Sequence, residues 1–249
     1  MPIYEPDHIE YAIDSGHIQI VTDDGRSLPA YLAHPRVGMR FPGVALIHDW
    51  WGVTPIIRRL ANLFAQMGYY VIIPDLFYGK IAKTPKEAME LVKSLGDDNG
   101  YKLVNGALAV LEHHNSCNAY VAAVGIGMGG SLAYEAAIVR DDLEAAIAFS
   151  GFPARYFGRF KASNTPILAF YGDNEPHIKP NQVSKLKKEL GSIQLPHQVE
   201  IIEGMGHEFF KEDMPDDLRE KSRDVLKTTL EFLDSHLAGP QKPQKRQAF

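Results

Sequence analysis

Short apolar runs alternating with longer segments of helical spacing constrain this chain more than any other feature. Val44–His48 and Val71–Ile73 are two such runs, and Tyr120–Gly125, Ala145–Phe149 and Ile167–Tyr171 are three more. Runs this short read as strands buried on both faces, because a strand with one wet face would alternate polar and apolar residues. Between the first two lies Thr54–Met67, with Ile57, Leu60, Leu63 and Phe64 at helical spacing and Thr54-Pro55 as N-cap and first turn. Strands that alternate with helices predict an α/β fold, a mainly parallel sheet wrapped on both sides.

The chain opens differently. His17–Thr22 alternates apolar and polar residues, Asp23-Asp24-Gly25-Arg26 supplies a turn, and Leu28–Ala33 alternates again, which predicts a β-hairpin. Further helices are expected near 84–95, 100–114, 129–138, 180–190 and 216–237, with a last strand at Val199–Ile202. No repeat and no linker divides the sequence, so residues 1–238 are expected to form one domain. Residues 239–249, basic, polar and Pro-containing, are expected to be a disordered tail.

Composition narrows the function. The 249 residues are 45% hydrophobic and 23% charged, enough to bury a substantial core. A net charge of -5 gives no basis for a nucleic-acid partner. No stretch approaches the ~20 apolar residues of a membrane span, and Met1–Asp7 lacks the basic start and apolar run of a signal peptide. The single cysteine, Cys117, forms no internal disulfide. A cytoplasmic protein, monomer or homodimer, is expected, with a small molecule as its partner.

In a doubly wound sheet, functional residues gather beyond the carboxyl ends of the strands. Those ends carry His48-Asp49-Trp50-Trp51-Gly52, then Pro74-Asp75-Leu76-Phe77-Tyr78-Gly79-Lys80, then Gly172-Asp173-Asn174-Glu175, and finally Met205-Gly206-His207. Between the second and third, Val124-Gly125-Ile126-Gly127-Met128-Gly129-Gly130 closes a strand and opens a helix. This is the setting of the sharp turn that lifts a nucleophilic Ser or Cys above an α/β-hydrolase sheet, but its apex, Gly127, has no side chain. The order of apex, acid and histidine is also that of the α/β-hydrolases.

These landmarks resemble the dienelactone hydrolase family over residues 15–237. The family's Gly-x-Cys-x-Gly-Gly turn is met by Gly125–Gly130 and its oxyanion loop by His48–Val53. Its Pro-Asp-Leu segment is met by Pro74–Leu76, its acid turn by Gly172–Glu175, and its Gly-His-x-Phe loop by Gly206–Phe209. The resemblance implies a hydrolase of small esters or lactones with no cofactor and no metal. In the family a Cys thiolate attacks, a His is the base and an acid orients it. Carried over, His207 is the base and the Trp50 and Met128 N–H groups form the oxyanion hole. Glu175 orients His207 in preference to Asp173, because the family's acid stands three residues after the glycine. Asp49 stands where the family has a glutamate beside the thiol. Lys80 and Lys211 lie near arginines that grip a substrate carboxylate.

With Gly127 vacant, no other residue supplies the nucleophile. Ser131, one turn further on, points along the helix, and Cys117 precedes Gly127 by ten residues at the far end of the strand. What remains is water activated by His207, so that hydrolysis is weak, altered or lost. A second reading is a non-catalytic binder of small acyl or carboxylate ligands. Its pocket would open above Gly127 between Trp50, Trp51, Phe77 and Phe209, with Lys80 or Lys211 as anion anchor. Blander readings stand beside these: glycines that only let a helix pack closely, an ordinary loop histidine at 207, and one tryptophan of the pair in the core. His48, Asp49, Glu175 and His207 show no recognisable metal-ligand spacing.

Overall fold

The computed structural model describes residues 11–22, 25–96 and 99–237; the expected tail at 239–249 and the segment Met1–Asp7 lie outside them. The hairpin forms from β1 (Ile13–Val21) and β2 (Ser27–Pro35), paired antiparallel with Ile13 opposite Pro35. Strand β1 starts four residues before the alternation predicts and stops one short of Thr22, whereas β2 exceeds its expected bounds at both ends. Then come β3 (Phe41–Ile47), α1 (Pro55–Gln66), β4 (Tyr70–Pro74), α2 (Pro85–Leu95) and α3 (Asn99–His113). The second half runs β5 (Cys117–Ile126), α4 (Met128–Val139), β6 (Ala145–Phe149), β7 (Ile167–Gly172), α5 (Pro180–Leu190), β8 (Gln198–Ile202) and α6 (Asp216–His236).

The eight strands make one sheet in the order β1-β2-β4-β3-β5-β6-β7-β8. Pairing is parallel from β4 through β8, and antiparallel where β2 meets β4 and β1. Every residue of β3, β4, β6 and β7 is buried, as expected of apolar runs sandwiched between helices. Alternate side chains feed two cores. Phe41, Ala45 and Ile47 of β3 join residues of α3, α4 and α5, whereas Val44 and Leu46 join residues of α1 and α6.

Two local details depart from the sequence reading. Strand β5 starts at Cys117, three residues early, and reaches Tyr120 through Ala119 at φ 71°. The register against β3 shifts there, and the bulge turns Ala119 and Tyr120 outward, which hides the strand's start from a burial pattern. Thr54 does stand at the N-cap of α1, but its side chain makes no capping hydrogen bond.

Candidate active site

Between the end of β5 and the start of α4, Gly127 alone turns the chain. It has φ 54° and ψ −113°, a conformation L side chains rarely adopt, and its N–H donates to Phe149 O at 2.8 Å. The turn seats α4 directly on the sheet: a Cβ on Gly129 would stand 2.2 Å from the Ile47 carbonyl oxygen. Close packing and a strained apex are therefore both built into the glycine motif.

The space above Gly127 is filled. A Cβ there would meet Asp49 Oδ1 at 2.2 Å. That same oxygen accepts the Trp50 N–H at 2.7 Å and the Met128 N–H at 2.9 Å. Two amides converging on one point form an oxyanion-type site, and the Asp49 carboxylate sits in it. The expected open pocket over the apex is absent, because Asp49 reaches across from the β3 loop into the room a nucleophile's side chain would take. Burial pushes the Asp49 carboxyl above its ordinary range, and the two amides, with His207 and His48, offset only part of that cost.

His48 fixes this loop from behind. Its Nε2 accepts the Leu76 N–H at 3.1 Å, so Nδ1 carries the proton and donates to Asp49 O at 2.7 Å. Burial lowers the pKa of His48, consistent with a neutral ring. Phe77 packs on that ring at 4.9 Å and is itself buried, so it belongs to the core and is not a wall of the pocket over Asp49.

His207 approaches from the loop after β8. Its Nδ1 lies 2.7 Å from Glu175 Oε2, and its Nε2 lies 3.9 Å from Asp49 Oδ2. Glu175 also accepts the His177 N–H at 2.8 Å. Burial pushes the Glu175 carboxyl up, but the bonds from His207 and His177 N–H outweigh it and hold it below the usual carboxylate range. Asp173 does something else: it accepts the Gly204 N–H at 2.6 Å and braces the turn before His207. The hydroxyl of Ser131 is tied to backbone, accepting the Phe152 N–H at 2.9 Å. Cys117 is buried at the amino end of β5.

A cavity of 370 Å³ opens over Asp49 and His207, walled by Trp50, Val92, Met128 and Phe152, with Ser131 and His177 at its polar side. Trp51 lines a neighbouring 250 Å³ cavity with Phe209 and Lys211, so both tryptophans are half-buried pocket walls and neither is core. Phe209 is otherwise buried, 5.9 Å from the Phe149 ring. The two lysines do not meet as a carboxylate grip. Lys211 pairs with Glu208, and Lys80 is exposed, with its backbone carbonyl close behind Gly52. Neither lines the 370 Å³ cavity, but Lys211 lines the 250 Å³ cavity that Asp49 also borders and, with Trp50, Trp51 and His207, a third of 690 Å³.

Four contributors escaped the sequence, one of them Val92 in the cavity wall. Ser150, at φ 49°, donates from Oγ to the His207 carbonyl at 2.9 Å. It follows β6 directly, so the strand-end rule would have found it. His177 packs edge-on against His207 at 5.1 Å, two residues beyond Glu175. Phe152, 5.8 Å from His207, carries no sequence signal at all. Among the described residues, no group of three or more His, Cys, Asp or Glu side chains could hold a metal ion.

The sheet order, the helices on both faces and the strained turn at the end of β5 are those of the α/β-hydrolase fold. The dienelactone hydrolase family profile matches residues 28–237, and the chain belongs to that family. Protein usf of Aquifex pyrophilus is 26% identical over 227 residues, covering 86% of this chain and 96% of that protein. The carboxymethylenebutenolidase of Pseudomonas sp. (strain P51) is 25% identical over 235 residues, covering 87% and 93%. The crystal structure of dienelactone hydrolase from Anabaena variabilis superposes with a TM-score of 0.70 at 18% identity, covering 90% of this chain and 99% of that one. No described helix is long and apolar enough to cross a membrane.

Proposed function

We propose that this chain hydrolyses small carboxylic esters or lactones slowly, through water and without a nucleophile at position 127. The observation that carries the reading is the 2.7 Å contact of His207 Nδ1 with Glu175, which leaves Nε2 as a base facing the cavity. Trp50 N–H and Met128 N–H supply the oxyanion site once Asp49 yields them to a substrate carbonyl. That exchange gives up two charge-assisted hydrogen bonds, which is one reason to expect a low rate. Sites stripped of triad members elsewhere retain ~10³–10⁴-fold catalysis over water, which sets the scale. Lactonase chemistry in a relative such as the Pseudomonas carboxymethylenebutenolidase supports the substrate class.

The test is p-nitrophenyl ester and lactone hydrolysis by the natural chain and three variants. His207→Ala is expected to lower the rate by about 10²-fold or more. Asp49→Ala, which frees the two amides, is expected to raise it. Gly127→Cys should gain most in the Asp49→Ala background, where its Cβ no longer meets a carboxylate. An unchanged rate in His207→Ala overturns the proposal. The binding-only reading draws on Lys211, which lines the 250 Å³ cavity beside Asp49 and a 690 Å³ cavity beside His207 but pairs with Glu208; micromolar binding of a small carboxylate with no turnover would favour that reading.

A further inference from the structure

Asp49 is placed as more than an obstruction. Its Oδ1 is held by two N–H donors, and its Oδ2 lies 3.9 Å from His207 Nε2, outside hydrogen-bond range. A carboxylate fixed by one oxygen, with the other beside a base and an apolar cavity, has the arrangement of a nucleophile. We propose that Asp49 is a catalytic nucleophile toward a small, neutral alkyl electrophile with an anionic leaving group, a primary alkyl halide being the simplest. The inference shares with the ester reading the assignment of His207 as base, but not the reaction.

The choice of an alkyl over an acyl substrate follows from where the amides point. An acyl substrate needs the Trp50 and Met128 N–H groups for its own carbonyl oxygen, and Asp49 already engages them. Attack at a saturated carbon develops no oxyanion, so the occupied site is no handicap in the first step. There Oδ2 forms a bond to the carbon, the carbon–halogen bond breaks, and the halide leaves with the electron pair. In the second step the amides are in the right place. Water gives a proton to His207 Nε2 and attacks Cγ of the Asp49 ester, and the negative charge grows on Oδ1 between the two N–H donors. The Cγ–Oδ2 bond then breaks and the alkoxide takes the proton back from His207, releasing an alcohol, while the water's second proton leaves the Asp49 carboxyl for solvent and restores the carboxylate. One Asp49 oxygen now comes from water. Glu175 stabilises the transient imidazolium through Nδ1.

The cavity sets the substrate's character. Its walls are Trp50, Val92, Met128 and Phe152, its volume is 370 Å³, and its lining includes no lysine or arginine. That suits an uncharged chain of a few carbons and not the carboxylate-bearing substrates that a cation would grip.

1-Bromobutane is the probe. In His207→Gln the first step survives and the second is blocked, so intact mass and peptide mapping should show one butyl group on Asp49. Bromide release by the natural chain should be abolished in Asp49→Asn. A single turnover of the natural chain in ¹⁸O water should place the label in the Asp49 carboxylate, a readout that does not depend on any variant folding. No label in Asp49, an adduct elsewhere in folded His207→Gln, or bromide release surviving in Asp49→Asn each overturns the inference. Should esters be cleaved in a His207-dependent way while bromobutane leaves no label, the ester reading stands and only the carboxylate nucleophile falls. Should both reactions fail, the assignment of His207 as base falls too.

Discussion

Asp49 carries the tension in this site, because it is buried at 12% side-chain exposure and still held by two amides. Burial raises its pKa above the ordinary aspartate value of 3.8, so the folded state binds a proton more readily than the unfolded chain does. The cost to stability is fully present at neutral pH and fades as the pH falls through the folded value toward 3.8. Asparagine keeps an Oδ1 acceptor and removes the charge. Asp49→Asn is therefore expected to raise the melting midpoint by a few degrees at pH 7, roughly ΔΔG/ΔS, with the gain vanishing near pH 4; melts across that range test it. A loss at every pH would show that the carboxylate stabilises the loop. The family resemblance set Asp49 beside the apex at Gly127, but not its grip on two amides. Asp49 could be read as a pocket residue from its place after β3, but its reach to Met128, 79 residues away, belongs to packing.

The turn from β5 into α4 couples sequence and structure most tightly among the elements. Helix propensity alone favours alanine over glycine by about 1 kcal/mol. At Gly129 the new Cβ would lie 2.2 Å from a backbone carbonyl oxygen of β3, which no rotamer can relieve. The clash wins: Gly129→Ala is expected to cost about 3 kcal/mol in urea unfolding and to displace the Met128 amide. A neutral or stabilising effect would mean that α4 can lift off the sheet. Elements such as β6 and α5 were read from the sequence at their observed bounds, since apolar runs and helical spacing are local signals. The start of β5 was not, because the bulge at Ala119 is imposed by pairing with β3.

Acid should weaken the whole molecule through a group at the amino end of β7, away from the candidate site. His197 accepts the Ile167 N–H at Nδ1, and its protonated Nε2 is buried without a partner. Burial lowers its pKa from 6.5 to about 4. Above pH 6.5 it is neutral in both states and costs nothing; below that the unfolded chain takes up a proton that the fold refuses. Stability should fall between pH 6.5 and about 4, by on the order of 1 kcal/mol for a half-buried ring partly screened by solvent, and His197→Gln should flatten that slope in denaturant titrations. The chain's own periodicities determined the alternation of strand and helix, the mainly parallel sheet and the strand ends at which His207 and Glu175 stand, because burial patterns and turn residues act over neighbouring positions. Only the tertiary structure decided that Asp49 occupies the Trp50 and Met128 amides, that Phe77 and Lys80 stay out of the 370 Å³ cavity, and that Val92 and Phe152 wall it. Those outcomes depend on how side chains from separate crossovers compete for one space, and that competition leaves no local pattern to read.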